Sequence, residues 1–451
     1  MVLGLGLSGN AAAELAAQTG ADVDVLDEGH SATLEERAEA LARRGVRVHL
    51  DWHDTQWQGT PQAVVMSPGI PSGSCLGRLA AGMTCPVISE LEFAFRYCSC
   101  PVVAVTGTNG KSTTVELITH CLKGCGRRAA LAGNIGIPLS GTVPKTGTYD
   151  YVVVEVSSFQ LERIRTFEPL MAVLLNLSPD HLDRYDTAQD YYRAKFRLFA
   201  NMTRRRNAVL HHDLLDAQDV MSALPSDDST PATFSLDADS RADVYLRPDG
   251  VLCQRCGEVE RPFVQRSDLR LAGNHNLENV LAAAAVCTGL GVDPMSLARP
   301  LKTFAPSPHR LELVAAHDGI RYIDDSKATN PDALCRAVAA VGQKGRKNVL
   351  LLAGGLNKGL DFAAAAERLQ PYVREAFLMG RCRDQLAAQW GTAMACKSFV
   401  SLAGAVDAAL ESAVSGDTVL LSPGCASQDM FANYAERGAA FTELIKRRIG
   451  Q

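Results

Sequence analysis

The residues best suited to chemistry stand together in segment 107–113, Gly-Thr-Asn-Gly-Lys-Ser-Thr. Gly107 and Gly110 allow a tight turn whose backbone N–H groups point inward at an anion, and Lys111 adds positive charge. The hydroxyl of Ser112 or of Thr113 suits the Mg²⁺ that accompanies a nucleotide. The spacing is two residues shorter than in the usual phosphate loop, which has four residues between its glycines. The segment predicts a nucleotide-phosphate site, with an ordinary strand–helix turn as the alternative.

Strand and helix signals flank this loop. Residues 102–105, Val-Val-Ala-Val, form a short apolar run that is typical of a buried parallel strand. The segment that begins at Lys111 is compatible with a helix, whose N-terminus would face the anion. Because strand, turn and helix agree, we expect this site to bind ATP.

Two further strand ends carry side chains that suit a magnesium–nucleotide site. Glu155 lies near the end of the apolar run 151–156, and His181 follows the run 171–177 together with Asp180. Ligands of open α/β sheets collect beyond the carboxyl ends of the strands. Glu155 would hold Mg²⁺ directly or through water, and an exposed acid without such a role is the alternative. A lone histidine is usually structural, but its position favours a site role for His181.

Amides and cations in the second half of the chain could complete a nucleotide site. Segment 273–279 leads into an alanine-rich helix, and Asn276 and Asn279 share one helix face at its N-terminal end, where paired amides can read the edge of adenine. Helix capping is the alternative for either residue. Arg310 and Lys327 are cations that suit nucleotide phosphates. Ser427 is predicted to open a helix whose first turn would hold a carboxylate.

The N-terminal segment carries a second glycine pattern. Residues 4–9 read Gly-x-Gly-x-x-Gly, a helical stretch covers 10–19, and Asp27 follows the strand-like run 21–26. This layout is typical of a Rossmann dinucleotide site. Any nucleotide diphosphate would satisfy it, so the pattern leaves open a nicotinamide-dependent dehydrogenase and a protein that binds another nucleotide.

Apolar strand-like runs alternate with helical segments along the whole chain. This alternation is typical of α/β architecture with mainly parallel sheets. We predict three domains, 1–92, 93–299 and 300–451, each long enough to bury a core. The first and third are expected to be Rossmann-like, and the central one to be a P-loop ATPase domain with a mainly parallel sheet.

The composition argues against several classes of protein. The 451 residues are 47% hydrophobic and 21% charged, with a net charge of −5, so nucleic acid is not an expected partner. No apolar run is long enough to cross a bilayer, and no lysine or arginine precedes Arg37 as a signal peptide would require. Thirteen scattered cysteines fit buried thiols in the cytoplasm, and Cys253-x-x-Cys256 is a weak metal or redox candidate.

Taken together, these segments resemble the Mur ligase superfamily of amino-acid ligases that build peptidoglycan. The signals common to the superfamily are segments 107–113, 133–136 (Gly-Asn-Ile-Gly) and 275–279 (His-Asn-x-x-Asn). The branch that adds D-glutamate is indicated by 155–160 (Glu-Val-Ser-Ser-Phe-Gln), 325–330 (Asp-Ser-Lys-Ala-Thr-Asn) and 422–427 (Ser-Pro-Gly-Cys-Ala-Ser). The resemblance covers essentially the whole chain.

The resemblance implies roles for individual residues. For the uridine nucleotide and its muramoyl group it implies Leu7, Ser8, Asp27, Ser67, Gly69, Asn134 and His181. For ATP it implies Gly107, Thr108, Asn109, Gly110, Lys111, Ser112, Thr113, Asn276, Asn279, Arg310, Asp325 and Lys327. For D-glutamate it implies Thr329, Lys358, Ser427 and Tyr434, where the family has phenylalanine in place of Tyr434. For two Mg²⁺ ions it implies Ser112, Glu155, His181 and, once carbamylated, Lys195.

The resemblance also implies a reaction. ATP would phosphorylate the L-alanyl carboxylate of UDP-N-acetylmuramoyl-L-alanine to an acyl phosphate, which the amine of D-glutamate then attacks, with Lys111, Glu155, His181 and Lys195 as catalytic residues. The three predicted domains would bind the UDP-sugar substrate, ATP and the amino acid in that order. A cytoplasmic monomer is expected. The alternatives are a ligase for another amino acid, a folate-type polyglutamate ligase, a dehydrogenase, and a P-loop ATPase without ligase chemistry.

Overall fold

The computed structural model describes residues 1–182, 184–271, 273–305, 308–358 and 360–450. It divides into two compact units. The first unit comprises Met1–Leu177, Gln189–Asp268 and Glu278–Phe304, and the second comprises Ser178–Ala188, Leu269–Leu277 and Ala305–Gln451. The described residues form three sheets, of which the first unit holds two and the second unit holds one.

The first sheet is built from five short strands near the N-terminus. They are β1 (Val2–Leu3), β2 (Asp24–Leu26), β3 (Arg47–His49), β4 (Val64–Met66) and β5 (Val87–Ser89). The sheet is wholly parallel, in the order β3-β2-β1-β4-β5. This order matches five of the six strands of a doubly wound Rossmann sheet. The order in which strands are added reverses beside β1, and ligands bind at such a switch point.

The second sheet has nine strands and begins with the strand before the phosphate loop. They are β6 (Val102–Thr106), β7 (Ala129–Gly133), β8 (Tyr151–Glu155), β9 (Met171–Leu174), β10 (Ala208–His211), β11 (Ala232–Ser235), β12 (Val244–Leu246), β13 (Val251–Cys256) and β14 (Val259–Gln265). Their order is β14-β13-β12-β11-β10-β9-β6-β8-β7. Only the pairs β12–β13 and β13–β14 are antiparallel among the described strands. Since β6, β8 and β9 are neighbours, their carboxyl ends meet at one edge.

The third sheet has six strands and lies in the second unit. They are β15 (Glu312–His317), β16 (Ile320–Asp324), β17 (Val349–Gly354), β18 (Val373–Met379), β19 (Ala395–Ser398) and β20 (Thr418–Leu421). Their order is β15-β16-β20-β17-β18-β19, and only β15 is antiparallel to its neighbour within the described part of the chain. β17 and β20 are buried throughout, as central strands covered on both faces should be.

Helices cover the faces of these sheets. The α-helices are α1 (Leu7–Gln18), α2 (Ala32–Ala42), α3 (Cys75–Ala81), α4 (Glu90–Phe95), α5 (Lys111–Gly124), α6 (Leu139–Thr142), α7 (Ser158–Leu161), α8 (Ala188–Phe196), α9 (Gln218–Ala223), α10 (Asn274–Gly289), α11 (Ala298–Thr303), α12 (Pro331–Val341), α13 (Ala363–Leu369), α14 (Arg383–Trp390), α15 (Leu402–Ser412) and α16 (Tyr434–Arg448). Short 3₁₀ helices lie at Val143–Thr148, Arg197–Phe199, Arg205–Asn207, His212–Asp216, Ala238–Ser240, Arg266–Asp268 and Pro294–Leu297. No described helix combines the length and the apolar composition needed to cross a bilayer.

The predicted α/β class with mainly parallel sheets is confirmed, and one sheet lies in each of the three predicted domains. The domain boundaries after residues 92 and 299 stay predictions. Two local predictions were wrong. The strand predicted over 171–177 ends at Leu174, because the chain then turns across the end of β6. The helix predicted to open at Ser427 is a turn, and α16 begins only at Tyr434, after its cap Asn433.

Candidate active site

The phosphate loop joins the buried strand β6 to helix α5, as the sequence predicts. Gly107 has φ of +151° and Gly110, the residue that caps α5, has φ of +84°, and both values favour glycine. A Cβ on Gly110 would lie 2.3 Å from Oδ1 of Asn279, so any other residue here would displace the Asn279 amide. The two glycines therefore hold a turn that leads directly into a helix N-terminus, the local geometry that phosphate binding requires.

Two lysine ammonium groups converge on one carbonyl of this loop. Nζ of Lys111 donates to the carbonyl oxygens of Gly107 and Thr108 at 2.9 and 2.8 Å. Nζ of Lys195, on helix α8, donates to the same Gly107 oxygen at 2.9 Å and lies 4.4 Å from the ring centre of Tyr191. Lys195 is 1% exposed, which is rare for lysine. The loop thus concentrates positive charge where anionic phosphate oxygens would bind.

Asn176 is a site residue that none of the sequence motifs indicated. Its side-chain Oδ1 accepts from the backbone N–H of Asn109 at 2.9 Å, and its Nδ2 donates to the Asn109 carbonyl at 3.1 Å. Its own carbonyl accepts from the N–H of Thr108. Asn176 therefore braces the phosphate loop from the end of β9. A polar residue inside the apolar run 171–177 was the available signal.

Glu155 lies at the carboxyl end of β8 and is 2% exposed. Its Oε1 accepts from Nδ2 of Asn134 at 2.8 Å, whereas its buried Oε2 has no hydrogen-bond partner among the described residues. A buried carboxylate oxygen without a donor is costly unless a cation or a water completes it. Glu155 and the buried hydroxyl of Ser112 are hard oxygen ligands, so the residues present fit Mg²⁺.

The other predicted ATP residue of the first unit lies against the phosphate loop. Asn279 is 5% exposed, and its Oδ1 accepts from Oγ1 of Thr114 at 3.3 Å. This contact places the amide beside the loop backbone, and reading of adenine by Asn279 stays a prediction. Thr113, on the first turn of α5, is also buried. Asn276 belongs to the second unit, where it is half-buried.

The predicted uridine-binding residues lie at the start of the first sheet. Oδ2 of Asp27 accepts from the backbone N–H of Leu5 at 2.5 Å and so braces the glycine turn, whereas its Oδ1 accepts from the N–H of Gly29 at 2.8 Å, within its own loop. Oγ of Ser67 donates to the carbonyl of Gly4 at 3.2 Å. The other predicted residues lie beside this turn, Leu7 exposed and Ser8 and Gly69 at the surface.

In the second unit, a buried carboxylate links three predicted segments. Oδ2 of Asp325 accepts from Oγ of Ser422 at 2.8 Å, and its Oδ1 accepts from the N–H of Leu311, which follows Arg310. The N–H of Lys327 donates to the carbonyl of His309 at 3.2 Å. The ends of β16 and β20 therefore hold Arg310, Asp325 and Lys327 together within this unit.

His181 follows β9 in the chain but belongs to the second unit. It has a positive φ of +55°, and its N–H donates to Oδ1 of Asp180 at 2.8 Å. Asp180 is buried, and its Oδ2 accepts from Nδ2 of Asn330 at 3.2 Å. Asn330 also caps helix α12 through the N–H of Ala333. These contacts orient the His181 backbone, and its predicted metal role is untested.

The predicted amino-acid residues surround the carboxyl edge of the third sheet. Ser427 is 2% exposed and its Oγ has no hydrogen-bond partner among the residues described. The Tyr434 ring lies 5.1 Å from Nζ of Lys327, and the Tyr434 carbonyl accepts from Oγ of Ser326. Thr329 and Lys358 are half-buried. The orphaned hydroxyl of Ser427 suits a ligand oxygen or nitrogen, as the prediction requires.

One cluster has the composition of a metal site but not the space. His309, Glu312 and Asp324 bring three ligand atoms within 4.8 Å of one another. Nδ1 of His309, however, is hydrogen-bonded to Oδ2 of Asp324 at 2.6 Å. A Cβ on Gly438 would lie 2.3 Å from that nitrogen and 2.6 Å from that oxygen, so helix α16 closes the space. The cluster is a packed histidine–aspartate pair.

Asp325 predicts a pH-dependent stability. Burial raises its pKa to about 7, against the hydrogen bond from Ser422. The pKa of Asp325 in the folded protein exceeds its pKa of about 4 in the unfolded chain. Its contribution to the free energy of unfolding is therefore complete below about pH 4 and is lost as the pH rises through about 7. The stability advantage of wild type over Asp325→Asn should therefore shrink by at most about 4 kcal/mol between these pH values.

Thermal melting of both proteins from about pH 4 to pH 8 measures this loss. Asp384→Asn, which changes a carboxylate with 83% side-chain exposure, is the matched control and should give a constant difference. A constant difference for Asp325→Asn as well would contradict the raised pKa.

Named relatives match the chain over nearly its whole length. A UDP-N-acetylmuramoylalanine–D-glutamate ligase from Pelotomaculum thermopropionicum is 38% identical over 449 residues, covering 99% of this chain and 96% of the relative. The protein of that name from Frankia casuarinae is 39% identical over 457 residues, covering 100% of this chain and 94% of the relative. The chain belongs to the Mur ligase family.

Two family models match separate parts of this Mur ligase. The Mur ligase middle domain matches residues 105–287, and the glutamate ligase domain of Mur ligases matches residues 309–425. The resemblance drawn from the motifs is confirmed, and the chain is an enzyme of the ligase class. A MurF ligase from Thermotoga maritima, solved in complex with ADP, superposes with a TM-score of 0.62 at 16% identity, covering 95% of this chain and 96% of that chain. This likeness shows that the two Mur ligases share a fold.

Proposed function

We propose that this Mur ligase joins D-glutamate to the L-alanyl carboxylate of UDP-N-acetylmuramoyl-L-alanine, with ATP as the energy source. The observation that carries the proposal is the match, at 38% identity over 99% of the chain, to a relative named for that reaction. The phosphate loop supports the use of ATP, because a helix N-terminus and Lys111 stand at its end. The ADP-bound relative of the same fold agrees with this choice.

The chemistry has two steps. A carboxylate is a poor electrophile, so its oxygen first attacks the γ-phosphorus of ATP and ADP leaves, which forms an acyl phosphate. The amine of D-glutamate then attacks the carbonyl carbon, loses a proton, and phosphate leaves. Phosphoryl transfer depends mainly on positioning and on neutralising charge. Lys111 meets both needs, because its Nζ already lies over the loop where the phosphates would bind.

Magnesium is proposed to bind at Glu155 and Ser112, with Lys195 as a further ligand after carbamylation. The ion would supply neutralisation of the phosphoryl oxygens. Glu155 offers its orphaned Oε2, and Asn134 orients the carboxylate through Oε1. A buried ammonium beside a cation is repelled, whereas a carbamate on Lys195 would present an anionic oxygen. We extend the proposal to two ions and to His181 on the resemblance alone.

The remaining residues keep the roles that the resemblance implies. The uridine nucleotide is assigned to Leu7, Ser8, Asp27, Ser67 and Gly69, and the muramoyl group to Asn134. Adenine and phosphates are assigned to Thr108, Asn109, Asn276, Asn279, Arg310, Asp325 and Lys327. The amino acid is assigned to Thr329, Lys358, Ser427 and Tyr434. In support, the Ser427 hydroxyl is buried and has no hydrogen-bond partner in the described part of the chain.

The test is ADP release with UDP-N-acetylmuramoyl-L-alanine across a panel of amino acids. D-Glutamate should release ADP and phosphate in step with amide product, and L-alanine, L-glutamate and diaminopimelate should not. Tetrahydrofolate with L-glutamate tests the folate ligase alternative. Phosphate release that needs no amino acid would favour a P-loop ATPase without ligase chemistry. Preference for another amino acid would contradict the proposal.

A further inference from the structure

Two buried cysteine side chains of the second unit lie in direct contact. Sγ of Cys382 and Sγ of Cys425 are 3.2 Å apart, at a hydrogen-bond distance for thiols. Cys382 is 4% exposed and Cys425 is 1% exposed. Cys382 caps helix α14 after strand β18, and Cys425 follows strand β20. The proposed ligase mechanism uses neither thiol.

The two cysteines join loops at one edge of the third sheet. The N–H of Cys382 donates to the carbonyl of Gly355 at 3.0 Å, in the loop after β17. That loop is paired with the Cys425 loop, because Leu356 and Ala426 exchange backbone hydrogen bonds of 2.9 and 3.0 Å. Lys358 and Ser427 continue these two loops beyond the pair. A shift of Cys425 would therefore reach residues proposed to bind the amino acid.

The Cys425 loop has little freedom to absorb such a shift. The guanidinium of buried Arg437 donates to the carbonyls of Cys425 at 3.1 Å and of Ser326 at 2.9 Å. Asp429, in the turn after Ser427, accepts from the N–H of Arg381 at 2.8 Å. Tightly packed interiors transmit displacements of this kind instead of dissipating them.

Forming a bond between the two sulfur atoms requires only a small approach. A disulfide has an S–S distance of about 2.05 Å, so the sulfurs would have to close by about 1 Å. Rotation of the side chains and a small movement of the loops can supply this distance. Misplacement of a binding group by about 1 Å is enough to cost on the order of a hundredfold in rate.

The reactivity of the pair is unequal. The hydrogen bond with Cys425, together with the backbone N–H groups of Gly355 and of Cys382 itself, lowers the pKa of the Cys382 thiol against the effect of burial. The same bond and burial raise the pKa of Cys425. The thiolate is the nucleophilic form of cysteine, so Cys382 is the sulfur that meets an oxidant first.

We propose that Cys382 and Cys425 are a reversible oxidation site, which forms a disulfide with peroxide and thereby weakens binding of the amino acid. The effect on the amino acid rests on the proposed function, whereas formation of the disulfide does not. The Cys382 thiolate attacks peroxide, takes one oxygen to become a sulfenic acid, and hydroxide leaves and is protonated to water. The Cys425 thiol then attacks that sulfur and a second water leaves, so two thiols and one peroxide give one disulfide and two waters. Reduction by a dithiol restores both thiols.

The experiment treats the full chain with low concentrations of hydrogen peroxide and maps its peptides without reduction. A Cys382–Cys425 cross-linked peptide should appear. The ratio kcat/KM for D-glutamate should fall by about tenfold to a hundredfold, with a smaller change in KM for ATP, and dithiothreitol should reverse both results. Cys382→Ser should keep the untreated activity and lose the sensitivity to peroxide. Cys335→Ser, which removes another buried thiol of the same unit, should remain as sensitive as wild type.

Each other result overturns a defined part of the proposal. Oxidation of other cysteines with Cys382 and Cys425 still reduced would overturn the site. Peroxide sensitivity of Cys382→Ser equal to that of wild type would do the same. A cross-link with unchanged kcat/KM would overturn its effect on the amino acid. If the untreated enzyme makes no product with D-glutamate, the proposed function fails, and the peptide map still decides whether the disulfide forms.

Discussion

Replacing Lys111 with alanine is expected to lower kcat of the ligase reaction on the order of 10³-fold, about 4 kcal/mol of transition-state stabilisation. The Lys111 ammonium lies over the loop carbonyls, within reach of a phosphate bound at the start of α5. Charge spreads over the phosphoryl oxygens in the transition state, so a positioned cation stabilises this state more than the ground state. Steady-state ADP release with both substrates measures the loss.

The matched control is Lys123→Ala, which removes an exposed lysine from the last turn of the same helix. It should leave kcat within about twofold, because a single exposed charge contributes little. Lys111→Ala should melt close to the wild-type temperature, which separates lost catalysis from lost folding. Product formation by Lys111→Ala at near the wild-type rate would refute the phosphate role.

Loss of the Lys195 side-chain nitrogen is the second large expected effect. Lys195→Met keeps most of the volume but removes the Nζ that donates to the Gly107 carbonyl. We expect kcat to fall on the order of 10²-fold or more, since the loop loses a positioning contact and a proposed ligand of Mg²⁺. Activity at increasing Mg²⁺ concentration measures the change, and the variant should require more Mg²⁺ than wild type.

Carbamylation of Lys195 makes a separate prediction. Carbon dioxide is its source, so wild-type activity should fall in buffer freed of bicarbonate and return when bicarbonate is added. Lys195→Met should not respond, and Lys145→Ala, which changes an exposed lysine of the same unit, should respond like wild type. A wild-type enzyme indifferent to bicarbonate would remove the carbamate from the mechanism while leaving the hydrogen bond to Gly107.

Features that depend on residues close together in the sequence were predictable. The strand at Val102–Thr106, the glycine turn and the helix from Lys111 came from local patterning, because backbone geometry there depends on neighbours along the chain. The α/β class followed from the alternation of strands and helices in the same way. The end of β9 was placed three residues too late, since Asn176 leaves the strand to brace another loop.

Contacts between distant residues were not predictable from the sequence. The family resemblance gave Lys195 a role, but nothing in the sequence showed that it is buried against a carbonyl 88 positions earlier. Asp325 reaches Ser422 across 97 positions, and Cys382 meets Cys425 across 43. Such pairs depend on which strands are neighbours in a sheet. Composition and motif spacing do not indicate this strand order.

The sequence by itself therefore determined the class of fold, the phosphate loop and the family, because each is encoded by short ordered motifs. Only the tertiary structure decided which side chains are buried away from water. Burial left an oxygen of Glu155 and the hydroxyl of Ser427 without partners in the described residues, raised the pKa of Asp325, and closed the space beside His309. The physical reason is that desolvation arises from packing between segments that are remote in the chain.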